Sequence, residues 1–179
     1  MKHIKLFNEM KISHLDFPMF GHGNSLTKKE SDIIKGAVGD YIDNFTIKVD
    51  DGYYYTSRFW SYNRFEKLSE LIEYLSICYY LDENKPEEII KILKDSKLDP
   101  SFDDNIIIDV SSRLNYIELV ELLLMDERVD PTDHDNYPLR TSFKYGNYEI
   151  TKLLINNPKV RNKLTEIQIE NYERELERD

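Results

Sequence analysis

The sequence predicts a mainly α chain in which a short helical solenoid follows a small α+β element made of a helix and a β-hairpin. Three observations predict it. One 31-residue stretch is written twice without a gap, as 98–128 and 129–159. Apolar residues recur at helical spacing through most of the remaining chain. The departure from that spacing is an alternating aromatic stretch around Asp50-Asp51-Gly52.

The two copies read LDPSFDDNIIIDVSSRLNYIELVELLLMDER and VDPTDHDNYPLRTSFKYGNYEITKLLINNPK. Asp99-Pro100 falls on Asp130-Pro131, and Asp104-Asn105 on Asp135-Asn136. Ile108 falls on Leu139, Ser111 on Ser142, Glu118 on Glu149, and Leu122-Leu123 on Leu153-Leu154. A fixed period in this range marks a stacked repeat, in which each unit buries its apolar face only against its neighbours.

The chain before the repeats divides into three pieces. Residues 1–20 mix apolar and basic side chains and predict a short element packed on the body. Phe20-Gly21-His22-Gly23-Asn24 reads as a loop. His3, His14 and His22 lack the spacing of a metal site, and none is expected. Thr27 with Glu30 predicts a capping box, and Ile33, Ile34, Ala37, Val38 and Tyr41 a helix behind it. Residues 45–49 alternate as a half-buried strand, Gly52 supplies turn chemistry, and 53–60 form the return strand. Tyr53, Tyr55, Ser57 and Phe59 share one face of that strand, and Tyr54, Thr56, Arg58 and Trp60 the other.

A long helix is expected over 63–81, capped by Asn63, with Phe65, Leu68, Leu71, Ile72, Leu75 and Tyr79 on one stripe. Pro86 opens the next helix, 86–94, whose Glu88, Ile89 and Ile92 align with Glu118, Leu119 and Leu122. A degenerate unit, 63–97, therefore precedes the two clear ones. The expected domains are 1–62, a small α+β element, and 63–179, the array. Residues 160–179 close it with a charged capping helix, since a terminal unit needs one polar face.

Composition narrows the function. The net charge is −10, the wrong sign for wholesale binding to nucleic-acid phosphate, so no direct nucleic-acid binding is expected. Residues 81–179 carry 14 Lys/Arg against 23 Asp/Glu, which places the acidity in the repeats. The single Cys78 lies in an apolar run and precludes an internal disulfide, fitting a reducing, cytoplasmic setting. No window approaches the length of a membrane span, so no membrane contact is expected.

The second copy resembles the ankyrin repeat. That family's core pattern is T-P-L-H-x-A-A-x-x-G-H-x-E-I-V-K-L-L. Pro138, Leu139, Gly146, Glu149, Ile150, Lys152, Leu153 and Leu154 stand at its matching positions. The family's His is Arg140 here and Asp109 in the first copy, and its Gly is Asn115 in the first copy. These departures imply short or irregular fingers between the helices. The 31-residue period, with Asp-Pro and Asp-Asn in the finger, is similar to divergent ankyrin repeats of large DNA viruses and some phages.

The resemblance implies a non-catalytic protein-interaction module, a viral or phage protein acting on a host factor in the host cytoplasm, with another protein as partner. It places contacts at the fingers and the exposed side of the inner helices. Those positions are Phe102, Asp103, Asn105, Arg113 and Leu114 in the first copy, and Asp133, His134, Asn136, Lys144 and Tyr145 in the second. Arg113 and Tyr145 are residue types favoured at hot spots. Tyr54, Arg58 and Trp60 form a second candidate surface. No enzyme motif, nucleophile–base pair or cofactor fingerprint is present, so neither catalysis nor a cofactor is expected. The alternative function is an inhibitor or sequestering protein. It would use the acidic repeats as a nucleic-acid mimic, or the N-terminal aromatics as a ligand pocket. A second copy of the chain is an alternative cover for the ends of the array.

Overall fold

A computed structural model describes residues 24–58 and 61–177. The fold is mainly helical with one three-stranded antiparallel sheet, and two compact units divide it between Glu83 and Asn84.

The first unit begins with α1, Lys28–Val38. Thr27 Oγ1 accepts the Glu30 amide (3.3 Å), and Glu30 Oε2 accepts the Thr27 amide (2.8 Å), the reciprocal box that its spacing predicts. Gly39 stops the helix at φ +59°, and a 3-10 turn over Gly39–Asn44 leads into the sheet. Strands β1, Thr46–Asp50, and β2, Tyr53–Arg58, are joined through Asp51 (φ 46°) and Gly52 (φ 82°). Positive φ at both positions matches the twist of the flanking strands.

A third strand, β3, Ser61–Phe65, pairs with β2 in the register Tyr54↔Phe65 and Thr56↔Asn63. This corrects the long helix expected over 63–81. Helix α2 runs Leu68–Asp82, and Asn63 is a strand residue rather than its cap. Glu70 instead accepts the Glu66 and Lys67 amides, at 3.2 and 3.3 Å. Phe65 fits the helical stripe on paper because it is apolar and three residues before Leu68. In the structure it is buried from the sheet side, with its ring 5.1 Å from Tyr74 of α2. Pairing with β2 satisfies backbone groups that a first helical turn would leave open. Ile34, Val38, Ile42, Leu71, Leu75 and Cys78 complete the core of this unit.

The second unit is a run of helices: α3, Pro86–Asp95; α4, Phe102–Leu114; α5, Ile117–Leu124; α6, Asp133–Lys144; α7, Tyr148–Asn156; α8, Pro158–Arg161; and α9, Glu166–Leu176. Helix α4 packs on α6, while α5 packs on both α3 and α7, so helices of the two copies lie in two rows. Burial repeats with the sequence. Ile108 and Leu139, Ser111 and Ser142, Leu119 and Ile150, and Leu123 and Leu154 are all buried at 1% exposure or less. Asn115 (φ 63°) and Gly146 (φ 73°) end α4 and the α6 segment in the left-handed conformation, as their alignment requires.

The finger before each inner helix is a turn rather than a strand pair. Asp99 Oδ1 accepts the amide (2.9 Å) and hydroxyl (2.7 Å) of Ser101, and Asp130 Oδ1 does the same for Thr132 at 2.9 and 2.7 Å. Three left-handed residues follow in each copy, Asp103-Asp104-Asn105 and His134-Asp135-Asn136, before the right-handed helix starts. Asp, Asn and His tolerate this region better than other side chains. After α7 the finger does not recur. Asn157 caps the one-turn α8 by accepting the Lys159 amide (2.9 Å), and α9 follows behind a Thr165–Gln168 capping box.

Candidate functional site

The left-handed turns converge with the inner helices on one group of polar side chains. Asn105 joins the copies. Its Nδ2 donates to Asp133 Oδ2 (2.9 Å), and its Oδ1 accepts the Asp130 amide (2.8 Å). Asp133 Oδ1 accepts the His134 amide (2.8 Å). The His134 Nδ1 stands 3.8 Å from Asp109 Oδ2 and 4.0 Å from Asp133 Oδ1. Asp109 is 7% exposed, and among the described residues no donor reaches its Oδ1. Burial pushes its carboxyl up to about 7. His134 opposes that rise and Asp133 adds to it.

Arg140 occupies in the second copy the position of Asp109 in the first. Its guanidinium donates to the carbonyls of His134 (3.0 Å) and Asp135 (2.8 Å), closing the left-handed turn of its own copy. A carboxylate at the same position can only accept. The two copies thus share a backbone and differ in charge at its most polar point.

The expected contact residues separate into two groups. Phe102, Asn105 and Asn136 are buried, because the turn folds them inward. Asn105 is spent on the neighbouring copy, and Asn136 Oδ1 has no partner among the described residues. The amide that Asn105 accepts is that of Asp130 in the finger of the second copy, and beyond α7 the one-turn α8, Pro158–Arg161, stands where that finger would recur. Tyr145 (55% exposed), Lys144 and His134 are open to solvent, while Asp103, Arg113, Leu114 and Asp133 are half-buried. Lys144 Nζ lies 5.7 Å from the Tyr145 ring, a cation placed over an exposed aromatic at the end of α6.

In the first unit, Tyr54 donates to Glu30 Oε1 (2.7 Å), holding the Glu30 carboxyl below its ordinary value. Tyr54 therefore lies on the face toward α1, together with buried Thr56. Tyr53 and Tyr55 lie on the opposite face, with ring centroids 6.4 Å apart and the Arg64 guanidinium 4.6 Å from Tyr53. Trp60, Phe59 and the Arg58 side chain lie outside the described residues, as do His3, His14 and His22.

Sequence reasoning missed Asp109 as a site residue. It was read as a departure from the family's His. Its signal was a carboxylate at a position that faces the core on helical spacing. Among the described residues, no helix is long and apolar enough to cross a membrane. No protein-family model, curated protein or solved structure matches this chain.

Proposed function

We propose that the chain is a non-catalytic protein-interaction module whose second unit is an ankyrin-type array, and that it acts for a virus or phage on a host protein. One observation carries the reading. Two copies with the same turns share the buried positions Ile108/Leu139, Ser111/Ser142, Leu119/Ile150 and Leu123/Leu154 and differ at many of the positions they expose. The first copy offers Asp103, Arg113 and Leu114, and the second offers Asp133, His134, Lys144 and Tyr145. A scaffold that repeats its core and varies one face suits recognition of another protein. Tyr and Arg on that face are the side chains that bring large contact area and directional bonds.

The test is capture of a partner from host lysate by wild type and by Arg113→Ala and Tyr145→Ala variants of unchanged circular dichroism. The reading expects a partner retained by wild type and lost from the variants. Equal recovery from all three would refute it.

A second reading is favoured by charge. Residues 84–179 carry 21 Asp/Glu against 14 Lys/Arg, and Asp104 and Asp135 are exposed at equivalent points of the turns. An acidic inhibitor that mimics nucleic acid would use these carboxylates. Its binding would weaken steeply between 50 and 300 mM salt, on the order of tenfold or more. An interface centred on Tyr145 and Arg113 would change little over the same range.

A further inference from the structure

A basic residue closes each unit: Lys97, Arg128 and Lys159 stand at aligned positions. The last two leave the same turn. Asp126 Oδ1 accepts the Arg128 amide (3.0 Å) as Asn157 Oδ1 accepts that of Lys159 (2.9 Å). Their side chains then part. Lys159 crosses to the preceding unit, where its Nζ donates to the carbonyls of Glu127 and Val129, both at 2.9 Å. Arg128 turns back onto its own Asp126, with Nε 2.9 Å from Oδ1 and Nη2 2.6 Å from Oδ2. A carboxylate takes a guanidinium as a two-point fork, and Asn157 has no charge with which to hold Lys159 in that way. Beside the Asp126–Arg128 pair a groove of about 380 Å³ stays open between α3 and α5. Leu93, Leu98, Leu122, Leu123 and Met125 line it, and Glu127 stands with the pair in its wall. Met125 is 80% exposed, so the apolar lining reaches solvent.

We propose that this groove docks a short segment of a partner protein in which a large apolar side chain stands beside a lysine. The apolar side chain covers the leucines and Met125, and the groove has the size of a small ligand pocket. The lysine answers the charge around it. Glu127 is exposed, and among the described residues no cation pairs with its carboxylate. Leu93 and Leu122-Leu123 belong to the last turns of α3 and α5, so two helix C-termini meet at the groove. The terminal carbonyls of a helix carry partial negative charge and favour a cation. The next interval, between α5 and α7, shows what such a place accepts, since Lys159 brings an ammonium to it from within the chain. In the first interval Asp126 keeps Arg128 from that role, and the partner's lysine takes it. This surface lies on the row of α3 and α5, whereas Arg113 and Tyr145 stand at the ends of α4 and α6. It is a second contact, beyond the one argued above.

The experiment uses the full chain with isotope-labelled methionine methyls and three probe peptides. They are acetyl-Gly-Leu-Lys-Gly-amide, the same peptide with acetyllysine for lysine, and the same peptide with alanine for leucine. The readout is the Met125 methyl resonance, assigned through Met125→Leu. The expected result is a saturable shift with the first peptide at about millimolar concentration or below. The other two peptides bind at least tenfold more weakly. Glu127→Lys and Met125→Ala, both at exposed positions, each weaken the first peptide at least tenfold, and Arg113→Ala and Tyr145→Ala leave it unchanged. Equal binding of the acetyllysine peptide, equal binding of the alanine peptide, or undiminished binding by Glu127→Lys overturns the proposal, as does the absence of a saturable shift. Sedimentation that shifts with concentration in wild type and not in Met125→Ala makes a second copy of the chain the occupant, which also overturns it. If the peptide binds while Arg113→Ala and Tyr145→Ala capture as wild type does, the surface argued above fails and the groove stands. If it does not bind while those variants lose their captured partner, the groove fails and that surface stands.

Discussion

Asp109 is in tension with its place in the fold. A carboxylate wants water or donors, and this one is 7% exposed with an unbonded oxygen among the described residues. Burial pushes it up to about 7 from an ordinary value near 3.8. The folded chain then keeps a proton that the unfolded chain has released. Stability from this group therefore falls as pH rises from about 4 to about 7, with a cost on the order of 4 kcal/mol above that range. Asp109→Asn removes the titration. It should raise Tm relative to wild type at pH 8 by several degrees more than at pH 5. An equal offset at both pH values would show that Asp109 is not held out of its ordinary range. The position was legible in the sequence as a misfit to the repeat pattern. Its chemistry was not, because burial and the nearness of His134 arise from a left-handed turn that no periodicity encodes.

At the scale of the helix pair, small differences between copies become measurable. Ser142 Oγ lies 3.0 Å from Thr151 Oγ1 and donates to the Leu139 carbonyl (2.9 Å), all buried. In the first copy Val120 replaces that threonine, and Ser111 Oγ is buried with no partner among the described residues. Deleting a satisfied buried hydroxyl costs about 1 kcal/mol, while deleting an unsatisfied one removes a desolvation penalty. Ser142→Ala should therefore destabilise by about 1 kcal/mol in urea titrations, and Ser111→Ala should be neutral or stabilising. Matching losses would contradict the pairing described here.

The same comparison explains what was readable. Periodicity, a Pro at a helix start and Asn or Gly at a helix end located α3 to α7, since those signals are local. Strand β3 was not readable as a strand. Ser61-Tyr62-Asn63-Arg64-Phe65 has weak alternation, and only its partner β2 makes it one. The fingers were expected to be irregular, and consecutive Asp, Asn and His residues are the reason they can turn left-handed.

Across the molecule, the boundary matters most. The alignment of 63–97 as a degenerate unit draws α2 toward the repeats, whereas α2 packs on α1 and β3 within the first unit. Residues 84–179 enclose their own core of Ile89, Ile107, Leu119, Leu139, Ile150, Leu154 and Val160. A fragment of those residues should fold alone, with a cooperative urea transition and helical circular dichroism. A non-cooperative transition would mean that the repeats depend on the first unit.

The capture of a host protein by the second unit tests the central claim most directly. Wild type, Arg113→Ala and Tyr145→Ala, matched for Tm, would be compared by quantitative mass spectrometry of retained proteins. The interaction reading predicts one partner enriched on wild type and reduced at least tenfold on each variant. Recovery of the same proteins in the same amounts from all three would contradict it.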